Sequence, residues 1–453
     1  MITGSPSLKK EKASHPRSLA VTFQIHPLEK AVRQRQKRAA LIFILLSLGY
    51  VLVYFHRLCP AVVALELMKT FKTGGALLGL LGSAYFYPYA LMQLPAGLLA
   101  DSWGPRKSMT LFLTLGAVGS FLFGLAPNIG TALAGRILVG IGVSLVFIPA
   151  MKLLAVWFHP RQFVYYTGIL MAMGGIGSLS AATPLAWLSR TLGWRLSFVL
   201  IGLITLFLIL LLWRVVRDRP EDLGYPAVLD QSLEAPASRE KIGLWAGMQL
   251  VLSTSPFWPL AIWFFLTCGI FFSFIGLWGG PYLMEVYHLD KQSASYILSM
   301  AAVGMILGSP LLSFLSDRIF KRRKAVLIGS SLMMILTSIP LTFFTGSLNL
   351  PLLYVICLNI GLFSGAIVTI AFTATKELFP TAIAGTSTGT VNLFPFFGGA
   401  VFQPVMGLLL ERAGRAGESF ALAGYQSAFQ IYFFSALAAF FVILGMKETF
   451  SSK

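Results

Sequence analysis

With 453 residues, 56% hydrophobic, only 11% charged and a mean hydropathy of +0.78, the chain lacks the polar surface of a soluble fold, where about 25% of residues are charged; lipid is the solvent that suits it. The formal net charge of +18 does not point to nucleic acid, because the basic residues gather in an N-terminal tail and in short loops between apolar runs, as an anionic lipid leaflet favours. Three isolated cysteines, Cys59, Cys268 and Cys357, each in an apolar run, argue against a disulfide framework or a metal cluster, and no cofactor is expected.

Residues 1–38 read as a basic cytoplasmic tail (Lys9, Lys10, Lys12, Arg17, Lys30, Arg33, Arg35, Lys37, Arg38). The apolar run that follows, from 39 to about Leu65, is long and lacks a small-residue cleavage site, so it reads as a retained helix and not a signal peptide. Stretches free of Asp, Glu, Lys and Arg at 73–100, 108–135, 162–189 and 196–213 are long enough to span a bilayer, and so is 133–157, interrupted by Arg136 and Lys152. These complete six helices in residues 39–216. Residues 217–256, with Pro220, Pro226, Pro236 and mixed charges, read as a cytoplasmic linker. Six more helices are expected in 257–447: one from Phe257 to 284, one in 292–316, two in 325–375 divided by the turn Gly346-Ser347-Leu348-Asn349, and one each in 378–410 and 419–446. Residues 448–453 form a second tail. The expected fold is an all-α, multi-pass membrane protein of twelve transmembrane helices in two six-helix pseudo-repeats. Lys and Arg are dense before residue 40, at Arg106-Lys107, at Arg161, at Arg214, Arg217 and Arg219, and from Arg318 to Lys324. An even helix count puts all of these on one side with both termini, which the positive-inside rule makes the cytoplasm. A monomer in a bacterial inner membrane is expected.

The halves repeat weakly. Gly97-Leu98-Leu99-Ala100-Asp101-Ser102-Trp103-Gly104-Pro105-Arg106-Lys107 follows the second helix, and Ser313-Phe314-Leu315-Ser316-Asp317-Arg318 follows the eighth; the aspartates are 317 − 101 = 216 residues apart. An Asp at a helix C-terminus meets the negative end of the dipole and requires a compensating cation, and Arg106 and Lys107 are at hand. The first segment resembles the signature loop of the major facilitator superfamily, matching at Gly97, Leu99, Ala100, Asp101, Gly104, Arg106 and Lys107 and departing at Ser102 and Pro105. The resemblance implies the major facilitator fold, alternating access, and a latch that holds the halves in the outward-open state, formed by Gly97, Asp101, Gly104, Arg106 and Lys107 with Asp317 and Arg318 of the second copy. Arg136-Ile137-Leu138-Val139-Gly140-Ile141-Gly142 resembles a second motif of that family, whose glycines permit close helix approach.

Gly49-Tyr50-Val51-Leu52-Val53-Tyr54-Phe55-His56-Arg57 is similar to the first helix of the organophosphate antiporters and organic anion:cation symporters. That similarity implies that Arg57 contacts a substrate anion. Tyr50, Tyr54 and Arg57 share one helical face, and a guanidinium can clamp a carboxylate or phosphate through two parallel hydrogen bonds; the alternative is that Arg57 snorkels to the interface. Arg217-Asp218-Arg219-Pro220-Glu221-Asp222-Leu223-Gly224 resembles the entry to the central loop in the same branches, and Lys152, shortly after Pro149, also has a counterpart there. Two departures narrow the expectation. The seventh helix carries no arginine, against a doubly charged phosphate ester, and Val143 stands near where the symporters usually carry a Glu.

His56, Arg57, Arg136 and Lys152 are the ionisable groups inside spans, and no Asp or Glu lies deep in any. Unpaired charge in low dielectric is costly, so this excess of cations argues for an anionic or carboxylate-bearing solute. His56 is either a neutral hydrogen-bonded residue or the carrier of a co-transported proton. Tyr85, Tyr89 and Met92 on one face of the second helix, with Asn359, Asn392 and Gln403, are further candidates for solute contact or for helix–helix bonds. No catalytic constellation or phosphate loop is present, so an enzyme is not expected. The expected function is secondary active transport of a small organic anion; amino acid or peptide uptake, multidrug efflux and solute sensing without transport are the alternatives.

Overall fold

The computed structural model describes residues 17–228, 244–380, 383–417 and 419–450. The start of the basic tail with Lys9, Lys10 and Lys12, linker residues 229–243 with Pro236, residues 451–453, and the side chains of Arg17 and Arg161 lie outside that description.

Apolar runs of this length must satisfy every backbone group internally, and they do so as helices. Among the described residues, eleven helices are long and apolar enough to cross a membrane. The first, α1 (Arg17–Leu58), begins within the segment expected as tail, and α2 (Pro60–Phe71) continues it past a break at Cys59. The second span joins α3 (Gly75–Ser83) to α4 (Phe86–Ser102), α5 (Pro105–Gly124) is the third, and α6 (Ile129–Ser144) with α7 (Phe147–Trp157) the fourth. Helix α8 (Pro160–Val215) is 56 residues long and turns at Gly193, whose φ of +77° and ψ of 158° are not helical. The expectation of twelve spans rests on counting its two arms separately.

The last part of the expected linker holds a short helix, α9 (Leu244–Ser253), and beyond it come α10 (Phe257–Ser273) with α11 (Gly279–Val286), α12 (Lys291–Phe314), α13 (Arg323–Phe343), α14 (Leu350–Ile360) with α15 (Val368–Leu378), α16 (Ala384–Arg412) and α17 (Leu422–Leu444). Wider π-helical turns at Phe274–Trp278 and Gly361–Ala366 join the paired segments. A two-stranded ribbon pairs Arg415–Ala416 with Ser419–Phe420. Asp290 caps α12, accepting from Gln292 N at 3.1 Å and Ser293 N at 3.3 Å, and its hydrogen bond to Ser293 holds the carboxyl below the usual carboxylate range.

Helices before and after the linker meet most tightly at the end remote from the chain termini. Gly75 of α3 and Gly407 of α16 approach so closely that a Cβ on either meets the other's carbonyl. Glu411 accepts from Ala76 N at 2.9 Å, Lys291 forms an ion pair with Glu66 and donates to Ser189 Oγ at 3.2 Å, and Thr183 and Ser299 share a hydrogen bond of 2.8 Å. That end is closed.

At the opposite end the two sequence repeats share a device. Asp218, just past α8, accepts from Arg106 N at 2.7 Å. Glu448, just past α17, accepts from Arg323 N at 2.9 Å and Lys324 N at 3.2 Å. In each repeat a carboxylate following the last helix caps the helix that follows the signature loop.

Candidate functional site

Pro60 has no N–H, so it cannot donate to the carbonyl of His56, and α1 breaks there. Arg57 occupies the last turn before the break and is 4% exposed. Its guanidinium carbon lies 4.4 Å from the ring centre of Tyr54, 4.8 Å from Phe396, 5.0 Å from Tyr89 and 5.5 Å from Phe272. Tyr54 and Tyr89 precede the linker and Phe272 and Phe396 follow it, so Arg57 sits at the junction of the two groups of helices. No carboxylate among the described residues forms an ion pair with it, and its Nε has no hydrogen-bond partner.

The cluster continues outward in both directions. Tyr50 packs edge-on to Tyr54 at 5.4 Å, and its hydroxyl meets Met171 Sδ at 3.6 Å. Tyr85 stacks on Tyr89 at 5.5 Å and donates to Val53 O at 3.4 Å. One turn past Tyr89, Gln93 Oε1 accepts from Asn392 Nδ2 at 2.8 Å, a bond across the junction. Gln403 donates to Phe272 O at 2.8 Å, at the last turn of α10, which carries Phe272 toward Arg57.

Arg136 is 1% exposed and lies behind this cluster. Its Nη1 donates to His56 O at 2.9 Å, the carbonyl left free by Pro60, and its Nη2 to Gly82 O at 3.5 Å, where α3 is interrupted before α4. The guanidinium also lies 5.1 Å from the ring of Tyr85. Arg136 therefore stitches two broken helix turns, and Tyr85 separates it from Arg57. The His56 ring points away from Arg57, with Nε2 3.5 Å from Ser120 Oγ.

The remaining sequence candidates lie elsewhere. Lys152 pairs with Asp101 and donates to Ala100 O at 2.9 Å, near the end that carries the termini. It thus supplies the cation at the C-terminal turn of α4 for which Arg106 and Lys107 were the expected sources. Gly104, at φ +83°, reverses the chain before Pro105 starts α5, and this carries Arg106 to α8: its Nη2 donates to Trp213 O at 2.6 Å and its guanidinium covers the Trp213 ring at 4.0 Å. A Cβ at Gly104 would strike the Asp218 carboxylate. At Gly97 nothing lies within 4 Å of an added Cβ. In the second copy Asp317 pairs with Arg323, not with the exposed neighbour Arg318; Arg323 Nη1 also donates to Ser316 Oγ at 2.9 Å, and Nη2 pairs with Glu377 at 3.1 Å. Arg323 stands at the position of Lys107 shifted by the 216-residue repeat, a signal readable in the sequence. Asn359 is partly buried on α14, which packs on α12 and α13. Glu285 sits near the end of α11, inside the bounds of its span, and accepts from Tyr425 Oη at 2.7 Å.

The Major Facilitator Superfamily matches residues 46–403. The probable sulfoacetate transporter SauU of Cupriavidus necator is 26% identical over 414 residues, covering 87% of this chain and 92% of that protein. The membrane sensor protein UhpC of Salmonella typhimurium is 24% identical over 384 residues, covering 82% and 85%. Among solved structures, a bacterial homologue of the human lysosomal transporter Spinster, in an inward-facing and unoccupied conformation, superposes with a TM-score of 0.69 at 19% identity, covering 91% of this chain and 98% of that one.

Proposed function

We propose that this chain, which belongs to the Major Facilitator Superfamily and is an integral multi-pass transporter and not an enzyme, moves a small organic anion by alternating access, with Arg57 as the anchor for the solute's acidic group. The observation that carries this is a buried guanidinium held by four aromatic rings and, among the described residues, paired with no carboxylate. The rings and the neutral hydroxyls of Tyr85 and Tyr89 orient the fork but cannot neutralise it, so an anion entering between the helix groups gains charge-assisted hydrogen bonds without displacing a carboxylate. Tyr54, Tyr89 and Tyr85 frame the anion and limit its size. Tyr50, Asn392 and Gln93 border the same space. Arg136, tied to backbone carbonyls, adds positive potential from behind. The similarity to SauU, a relative named for an anionic carboxylate-sulfonate, supports this solute class.

Alternating access has its gates in the contacts already described. The closure by Glu66–Lys291 and by Glu411 on α3 keeps the remote end shut; Asp101–Lys152 and Asp317–Arg323–Glu377 are the contacts at the other end that rearrange as it closes. We assign the end carrying the termini to the cytoplasm of a bacterial inner membrane, on the basis of its Lys and Arg loops, with residues 39–216 and 257–447 as the two moving halves of a monomer. A co-transported proton or ion belongs to this reading; His56 is the candidate proton carrier from the sequence.

The test is uptake into liposomes containing the purified protein, with radiolabelled small carboxylates and sulfonates set against amino acids and lipophilic cations. Saturable uptake of the acids alone is expected, and uptake of the lipophilic cations or the amino acids overturns the assignment. The resemblance to UhpC favours one second reading, a solute sensor. It requires saturable binding of the same acids with no flux in the same vesicles.

A further inference from the structure

On the outer surface of the helices before the linker, a groove of about 420 Å³ runs between α5 and the second arm of α8. Lys107, Thr110 and Thr114 form one wall, spaced i, i+3 and i+7 on one face of α5, and Ile209 and Trp213, one turn apart, form the other. The threonines do not make it polar, because Thr110 donates to Arg106 O at 2.8 Å and Thr114 to Thr110 O at 2.9 Å. Lys107 is the one charged lining residue; it is exposed at the mouth, with Trp103 and Trp213 on either side. Arg106 is turned to α8, where its Nε and Nη2 both donate to Trp213 O. Beyond the groove, α8 turns Leu203, Phe207 and Leu210 outward, each about half exposed or more. The groove therefore opens onto hydrocarbon. From Lys107 to Thr114 it descends about 10 Å along the helix, a third of the hydrocarbon thickness.

We propose that this groove binds one anionic phospholipid of the leaflet at the terminal end, its phosphate on Lys107 and one acyl chain lying between the two threonines and Ile209. Three observations converge on that occupant. The volume is that of a ligand site, not of a packing defect. The walls are apolar along their length. The single cation stands at the headgroup level, bracketed by two tryptophans of the kind that settle at membrane interfaces. One exposed lysine selects by charge alone, which corresponds to roughly a fivefold preference for an anionic over a zwitterionic headgroup. The lipid would lie against the loop of Asp101 and Gly104 and restrain it.

The full-length protein, purified in detergent and equilibrated with mixed phosphatidylglycerol and phosphatidylcholine micelles, tests this by native mass spectrometry of retained lipid. The wild type is expected to retain one phosphatidylglycerol severalfold over phosphatidylcholine. Lys107→Gln should lose the preference while still retaining a lipid, and Thr114→Phe, which fills the groove, should lose the lipid of either type. Ile209→Trp fills the same space and replaces Thr114→Phe if that variant does not fold. Equal retention of both lipids by the wild type, a preference that survives Lys107→Gln, or a bound lipid that survives both groove-filling variants would mean ordinary annular lipid and overturn the site.

Discussion

Arg57→Met isolates the role assigned to the guanidinium. Methionine keeps the length and apolar stem and can pack on the rings of Tyr54, Tyr89, Phe272 and Phe396, but it can hold no anion. In the empty protein two effects oppose each other. Burying an unpaired charge costs several kcal/mol, and cation–π contacts return about 0.5–2 kcal/mol each. They offset closely enough that the substitution should leave the melting temperature of the empty protein within a few degrees of the wild type. With solute present the balance differs. Two hydrogen bonds to a charged group are worth about 1.5–3 kcal/mol each, and every 1.4 kcal/mol is about tenfold in affinity, so affinity should fall by two to four orders of magnitude. The assay is thermal unfolding of purified protein against carboxylates, sulfonates, phosphate esters, amino acids and nucleosides. A ligand at one hundred times its Kd stabilises the wild type by about 2.7 kcal/mol; the same concentration should not stabilise the Met variant measurably. Arg57→Lys keeps the charge without the fork and should fall between the two. If the Met variant keeps the full ligand-induced shift, the solute binds elsewhere and the argument from buried charge fails.

Arg136→Met should separate architecture from binding: it orphans the carbonyls of His56 and Gly82, at about 1–3 kcal/mol for each buried acceptor left unpaired, so the melting temperature of the empty protein should drop while ligand-induced stabilisation persists. Calorimetry with and without ligand checks both. Asp101 and Lys152 are substantially exposed at 68% and 39%, so Asp101→Asn should cost less than about 1 kcal/mol of stability yet abolish uptake, and the exchange Asp101→Lys with Lys152→Asp should restore part of it; undiminished uptake by Asp101→Asn removes the latch. Glu66→Gln should weaken closure of the remote end by about 0.5–1 kcal/mol, a two- to fivefold shift in population, read as faster labelling of a cysteine introduced at Ser189.

The helical body, the weak internal repeat and the face shared by Tyr54 and Arg57 were legible because each follows from local regularity: apolar length, a spacing of 216, a heptad-like offset. What was not legible depends on pairs distant in the chain. Nothing near Arg57 announces Phe272 or Phe396, since a phenylalanine in an apolar run is ordinary; only packing of α10 and α16 against α4 selects those two from the 37 in the chain. Lys152, which follows Pro149 toward the cytoplasmic end of its span, is from the sequence a candidate equally for solute contact and for snorkelling; its long stem reaches the end of α4, where the dipole and Asp101 hold it. Glu411 and Glu66 gave no signal at all, being carboxylates whose partners lie 335 and 225 residues away.

The position of Arg57 follows from these same constraints. A charged side chain inside a membrane protein is tolerated where irregular backbone lines protein or solvent, not lipid. Pro60 creates that irregularity in α1, and the interruption of α3 before α4 creates it again across from Arg136. The two freed carbonyls are satisfied by Nη1 and Nη2 of Arg136, which commits that fork to the backbone and leaves Arg57, whose fork meets aromatic rings and tyrosine hydroxyls, as the buried cation facing the junction. A solute carboxylate would complete at Arg57 the electrostatic balance that the backbone already supplies at Arg136. Exchanging Pro60 for alanine should then close the helix onto His56 O, displace Arg136 and disturb the pocket from behind, without touching a residue that contacts the solute.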